Sequence, residues 1–170
     1  MADTATLARN RDLAASAGRA LLARGWRLAT AESCTGGGLA AALTDIPGSS
    51  QWFERGYVTY SNLAKQEDLG VGAATLETHG AVSSAVVLEM AAGALRASGV
   101  DLALAVSGVA GPDGGTAAKP VGLVWFALAQ REAPGRSEMR HFPGDRAAVR
   151  LAAVHRALEL INSAAADPAS

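Results

Sequence analysis

Apolar residues recur at helical spacing between positions 7 and 24 (Leu7, Leu13, Ala17, Ala20, Leu21), with arginines between them, and predict a first helix. Gly25 follows as a stop, since glycine readily takes the left-handed conformation that closes a helix. Positions 26–31 read as a short strand and 39–44 as a helix, while 53–60 gathers the strand formers Tyr57, Val58, Thr59 and Tyr60. Ser61 or Asn62 can cap a helix reaching Leu69. A short helix fits 74–79, and Ser83 caps a longer one over 84–97 that Gly99 ends. Positions 102–106 and 121–129 are continuous apolar runs, the pattern of strands covered on both faces. A weaker edge strand is predicted at 137–142, a last helix from Asp145 to Asn162, and a frayed tail at 163–170.

Alternating helices and apolar strands predict an α/β fold: a three-layer α/β/α sandwich with a mixed, mostly parallel sheet. The short link between 121–129 and 137–142 favours an antiparallel pair at that end. With no internal repeat and no linker, one domain over 1–170 is expected, its core spanning 7–160.

Composition narrows the function classes. The chain has 170 residues, is 49% hydrophobic and 18% charged, and is long enough to bury a core without disulfides or a structural metal. A single cysteine, Cys34, excludes a disulfide framework and a cysteine-rich zinc site. A formal charge of −1 and 5% aromatic residues give neither the basic stripe nor the stacking platform of a nucleic-acid binder. No stretch reads as a signal peptide or a membrane-spanning helix, because Asp3 interrupts the start and Glu89, Arg96 and Asp101 break the longest apolar tract. A soluble, cytoplasmic protein is expected.

Ligands in open α/β sheets bind beyond the carboxyl ends of the strands, where three loops of unusual composition fall: 31–38, 59–65 and 107–116. In the first, Ser33 and Thr35 precede Gly36 and Gly37, whose missing side chains let a ligand approach backbone N–H groups. Such donors suit a phosphate or the oxyanion of acyl transfer, yet Ser33 or Thr35 could equally serve as an ordinary helix cap. Of fifteen basic residues only Lys65 and Lys119 are lysines, and lysine, unlike arginine, can lose its proton and act as a base. Lys65 falls in the first turn of its predicted helix, where the macrodipole opposes a positive charge by roughly 0.3–1 kcal/mol. Reaching neutrality from a pKa of about 10.4 takes roughly 4–5 kcal/mol, most of which burial must supply.

Tyr60 and Ser61 stand between strand and helix close to Lys65, and a tyrosine hydroxyl there can bridge a serine and an amine. Cys34 is a rival nucleophile, although adjacent turn residues point in different directions and free cysteine is more often buried than reactive. His79, His141 and His155 lack metal spacing and read as structural or surface residues. Asp113 and Asp145-Arg146 could contact a polar ligand, and Arg146 and Arg150, one helical turn apart, could share a phosphate or form a solvated face.

Several ordered motifs together resemble the CinA C-terminal domain family over residues 7–160: Thr30-Ala-Glu-Ser-Cys-Thr-Gly-Gly37, Gly48-Ser-Ser50, Phe53-Glu-Arg-Gly-Tyr-Val-Thr-Tyr-Ser-Asn62, His79-Gly-Ala-Val-Ser83 and Ser107-Gly-Val-Ala-Gly-Pro-Asp-Gly-Gly115. Lys119-Pro-Val-Gly122 and Gly144-Asp-Arg146 extend the match. The resemblance implies a three-layer α/β/α fold with a mixed sheet. It also implies hydrolysis of the carboxamide of nicotinamide mononucleotide to nicotinate mononucleotide and ammonia, by a serine–lysine dyad with no metal and no cofactor. On the matching positions Ser33 is the expected nucleophile, Lys65 the general base and Tyr60 its assistant. Backbone N–H groups near Cys34 and Thr35 are the expected oxyanion hole, with Gly36 and Gly37 beside them. Ser107, Gly111, Asp113, Thr116 and Arg146 are candidates to hold ribose or phosphate. The chain resembles the stand-alone deamidase form rather than longer relatives with an N-terminal molybdopterin-binding-like domain.

The expected partner is a small nucleotide substrate, with neither nucleic acid nor membrane, and apolar positions on the helix at 84–97 suggest a homodimer. A nucleotide-binding or regulatory module without turnover, or an amidase or esterase acting on another nucleotide, is the competing reading.

Overall fold

A computed structural model describes residues 4–166 of the chain. The elements follow in the order α1 (Thr4–Arg24), β1 (Leu28–Glu32), α2 (Gly38–Thr44), β2 (Phe53–Val58), α3 (Asn62–Leu69), α4 (Ala73–His79), α5 (Ser84–Ser98), β3 (Leu102–Gly108), β4 (Leu123–Gln130), β5 (Ala133–His141) and α6 (Arg146–Ala166), with a 3-10 turn at Ser49–Gln51. The ends obey local chemistry. Ser61 and Ser83 accept the capping N–H bonds of Ala64 and Val86, and Asp145 accepts that of Ala148. Gly25, Gly70 and Gly99, at φ of 64°, 68° and 64°, close α1, α3 and α5.

The five strands lie in the order β2-β1-β3-β4-β5. β1 pairs in parallel with β2 and β3, whereas β3–β4 and β4–β5 are antiparallel. Only β4 therefore runs against the other four, which gives the expected mixed sheet with most strands in one direction. The two faces differ in bulk. Leu28, Leu102, Leu104, Val106, Phe126 and Leu128 pack with α1, α2 and α6, whereas Ala31, Ala103, Ala105, Ala127 and Ala129 pack with α3, α4 and α5. Small side chains on the second face let α5 lie close to the sheet through Val86, Val87, Met90, Ala91 and Ala94, all buried. The apolar positions of α5 that suggest a homodimer are thus spent inside the chain.

Several boundaries differ from the sequence reading: β2 ends at Val58 rather than Tyr60, β4 begins at Leu123 rather than Val121, and three further differences have a clear local cause. Trp26 stays outside β1, its ring 3.6 Å beneath the Arg24 guanidinium. β5 begins at Ala133, because Glu132 takes a left-handed turn at φ 61° and returns the chain directly alongside β4. Positions 163–166 are not frayed but complete α6: Ala164 and Ala165 are buried, and Arg24 donates to their carbonyls. The rest of the predicted tail, 167–170, lies outside the described residues. No described helix is long and apolar enough to cross a membrane.

The connections create the crevice. From β1 the chain leaves to α2 on one face, and from the neighbouring β2 it leaves to α3, α4 and α5 on the other. The carboxyl ends of two adjacent parallel strands are therefore left uncovered between diverging loops, the usual location of a ligand in such sheets.

Candidate active site

Ser33 follows the last residue of β1, and its N–H donates to the Val106 carbonyl on β3 (3.0 Å). On the opposite side the Thr59 N–H donates to the Glu32 carbonyl (2.9 Å), holding the end of β2 against β1. Ser33 is thereby fixed between two strand ends before the chain turns. Gly36 and Gly37 make that turn at φ of 56° and 94°, a conformation that side chains disfavour.

The helix after this turn is capped by neither Ser33 nor Thr35. Glu32, wholly buried at the end of β1, accepts three backbone N–H bonds: from Gly37 (3.0 Å) and Leu39 (3.0 Å) at Oε2, and from Ala40 (2.8 Å) at Oε1. A carboxylate with three donors meets the unpaired amides of the first turn of α2 and finds there a favourable dipole. Reasoning from the sequence gives this residue no role; an acid closing an otherwise apolar strand just before a glycine-rich helix start is the signal that could have exposed it. Its consequence is that the Ser33 hydroxyl is released from capping duty.

The hydroxyl meets Lys65. Its Nζ lies 3.1 Å from Ser33 Oγ, 2.8 Å from the Thr59 carbonyl and 3.2 Å from the Tyr60 carbonyl. Lys65 comes from the first turn of α3, which Ser61 caps, and is only 1% exposed. Burial holds its ammonium below the usual 10.5. It makes no ion pair among the described residues. Cys34 is buried as well, and desolvation pushes its thiol up to about 11.

Tyr60 reaches the lysine through its carbonyl, whereas its phenol, on a 60% exposed side chain, accepts from Arg146 Nη2 (3.1 Å). Arg146 Nη1 donates to the Gly111 carbonyl (2.9 Å), so one guanidinium joins the loops after β2 and β3. Arg150 points elsewhere. Its Nε donates to the Cys34 carbonyl (3.2 Å) and its Nη2 to the Thr35 carbonyl (3.0 Å). Arg146, Arg150, Ala110, Pro112 and Val121 line part of a recess of about 680 Å³ beside the start of α6.

The remaining candidates are spread further. Ser107 is buried and donates to the Ala81 carbonyl (2.8 Å). Thr116 accepts from the Lys119 N–H within its own loop (3.0 Å), and Asp113 is exposed in the same loop. Among the described residues, no hydrogen bond links either of them to Ser33 or Lys65. The histidines serve elsewhere: His155 bonds Asn10 (2.7 Å), His141 bonds the Val121 carbonyl (2.9 Å), and the His79 carbonyl accepts from Lys119.

Fold and site define a three-layer α/β domain with a buried serine hydrogen-bonded to a buried lysine at the carboxyl edge of its sheet. The family model for the CinA C-terminal domain matches residues 10–165, and the chain belongs to that family. It is 58% identical over 142 residues to the nicotinamide-nucleotide amidohydrolase PncC of Enterobacter agglomerans, covering 84% of this chain and 87% of the relative. It is 55% identical over 149 residues to the protein of that name from Escherichia coli K12, covering 88% and 90%. A crystal structure of a competence-damaged protein (CinA) superfamily protein from Klebsiella pneumoniae superposes with a TM-score of 0.88 at 45% identity, over 92% of this chain and 98% of that one. A competence/damage-inducible protein from Agrobacterium tumefaciens gives 0.88 at 47% identity, over 91% and 94%.

Proposed function

We propose that the protein is an amidohydrolase that converts nicotinamide mononucleotide to nicotinate mononucleotide and ammonia, with Ser33 as nucleophile and Lys65 as general base. The observation that carries this reading is the set of partners around Nζ. A neutral amine has two N–H donors and one lone pair. The Thr59 and Tyr60 carbonyls use the two donors, which leaves the lone pair for the Ser33 hydroxyl proton at 3.1 Å. The names of the relatives support the substrate.

Lys65 takes the Ser33 proton as Oγ bonds the carboxamide carbon, whose oxygen becomes the oxyanion. Donors for that oxygen follow by elimination within the turn. The Gly36 and Gly38 amides bond the Ser33 and Thr35 carbonyls, and the Gly37, Leu39 and Ala40 amides bond Glu32. The Thr35 N–H has no partner among the described residues, and together with the Cys34 N–H, which faces its own thiol in the resting site, it forms the oxyanion hole. The Lys65 ammonium returns its proton to the departing nitrogen, and ammonia leaves an acyl-enzyme. Water, deprotonated by Lys65, then attacks the acyl carbon and frees Ser33.

The recess bearing Arg146 takes the ribose phosphate, with Gly111 at its edge, Ser107 near the end of β3, and Asp113 and Thr116 in the loop that follows. Tyr60 assists by bridging this arginine to the lysine-bearing segment. Cys34 is not the nucleophile, because its thiol is buried and hard to ionise.

Ammonia release from nicotinamide mononucleotide tests the scheme. Ser33→Ala and Lys65→Ala lose turnover by at least about 10³-fold, whereas Cys34→Ala retains most of it. Full activity in Ser33→Ala would overturn the mechanism, and tight binding without ammonia in the wild type would make the protein a binding module.

A further inference from the structure

We propose that Arg150 is a positioning residue for catalysis, whose guanidinium clamps the Cys34 and Thr35 carbonyls and so aims the amide of the intervening peptide at the oxyanion. The inference rests on the reaction proposed above and gives a role to a side chain outside the reacting groups.

The turn beside Ser33 is intrinsically soft. Gly36 and Gly37, both left-handed, follow Thr35 directly, and glycine has more conformational freedom than any other residue. Glu32 anchors the far side of the turn at Gly37, Leu39 and Ala40. The Cys34–Thr35 peptide lies between that anchor and Ser33, with no hydrogen bond from its own N–H among the described residues. Its orientation is set from the carbonyl side. Nε and Nη2 form one edge of the guanidinium, and two N–H groups in a rigid plane fit two successive carbonyls held side by side. In a trans peptide the carbonyl and the N–H point in opposite directions. Holding the Cys34 oxygen toward α6 therefore directs the Thr35 N–H away from α6. A freely rotating peptide would offer the developing oxyanion a carbonyl oxygen part of the time, and repulsion there raises the barrier.

The two arginines of α6 thus divide the work. Arg146 ties the loops around the recess, and Arg150 orders the turn next to the nucleophile. An interaction that matters when the oxyanion forms should appear in kcat rather than in KM.

The test uses two readouts on the full chain. The first is steady-state ammonia release from nicotinamide mononucleotide. The second is the rate at which a simple alkyl fluorophosphonate labels Ser33, followed by mass spectrometry: Oγ bonds phosphorus, fluoride leaves, Lys65 takes the proton, and the phosphoryl oxygen occupies the same donors. Arg150→Met lowers kcat and the labelling rate about 10–100-fold, a part of the 10²–10³ that loss of an oxyanion donor costs, with KM changed less than about threefold. Arg150→Lys keeps the charge without the fork, shows a comparable drop, and decides the question should the methionine variant unfold. Unchanged labelling in both variants, or a rise in KM with kcat preserved, overturns the proposal. A wild type that is labelled at Ser33 yet releases no ammonia refutes the substrate, while the variants' labelling rates still decide the role of Arg150.

Discussion

Lys65 Nζ lies 3.1 Å from Ser33 Oγ, across 32 residues of chain, because β1 and β2 end side by side and their following loops diverge onto opposite faces of the sheet. Among the described residues the amine reaches this position without a carboxylate partner, and burial, the largest influence on its charge, favours the neutral form over the smaller opposing effect of Cys34.

The first prediction is a pH profile. The proposed base works only when uncharged, so kcat/KM climbs with pH along a limb set by the depressed Lys65 pKa, below its ordinary 10.5. Lys65→Arg, which cannot deprotonate, removes both activity and the limb. Stability carries the same signature. Between the folded and unfolded pKa values the unfolded chain holds more protons, so wild-type stability rises with pH across that window. Lys65→Met lacks this increment, and urea midpoints of both proteins over a pH series measure it. Parallel curves would show that the lysine is solvated.

A second prediction concerns Glu32. Glutamine offers one acceptor oxygen where the carboxylate uses two, and its amide nitrogen would face at least one of the Gly37, Leu39 and Ala40 amides. Glu32→Gln therefore leaves a buried donor unpaired, at a cost of about 1–3 kcal/mol. The loss also loosens the turn behind Ser33, so kcat falls along with the urea midpoint. Wild-type stability in this variant would mean that water replaces the carboxylate.

How much of the fold and site is legible in the sequence depends on the range of each interaction. Helix ends capped by a neighbouring side chain, such as Ser61 over Ala64 and Asp145 over Ala148, can be read from a few residues. Ser33 and Lys65 can be singled out because a glycine turn and a rare lysine are visible in one dimension. The groups that hold them are not legible in the same way. Arg150 meets the Cys34 and Thr35 carbonyls from 116 and 115 residues away, and helical spacing relates it only to Arg146. Ala164 and Ala165 look like a fraying end because Arg24, which caps their carbonyls, is likewise distant in sequence.

The third prediction tests the packing that presents Lys65. Gly93 lies in the buried face of α5 where it crosses the end of α3, and a methyl group there would overlap the Leu69 carbonyl. Backbone, unlike a flexible side chain, yields little. Gly93→Ala is expected to cost about 3 kcal/mol, the upper part of the range for overpacking, and to lower Tm by roughly 6–12 °C. Separating α3 from α5 to relieve the overlap displaces Lys65 and reduces kcat more than the stability loss alone would at a temperature where the variant is folded. A Tm within about 2 °C of wild type would mean that the two helices separate freely.

The last prediction concerns acid stability at the β5 edge of the sheet, three strands from β1, where Arg156 on α6 holds Glu138 on β5. Its Nε and Nη2 donate to the two carboxylate oxygens at 2.6 and 2.9 Å, and Arg156 also donates to Glu159 at 2.8 Å. Hydrogen bonding to Arg156 keeps the Glu138 carboxyl below its ordinary 4.5. A depressed carboxylate adds stability above the unfolded pKa and loses it as pH falls through the folded one. Both side chains are roughly a quarter exposed, so solvent screening limits the paired contribution to about 1 kcal/mol. Arg156→Met should therefore be less stable than wild type by about that amount at pH 7, with the gap closing as the solution is acidified below pH 4. Because the pair is remote from Ser33, ammonia release at pH 7 stays unchanged. A gap that persisted undiminished in acid would assign the loss to packing of the arginine stem rather than to its charge.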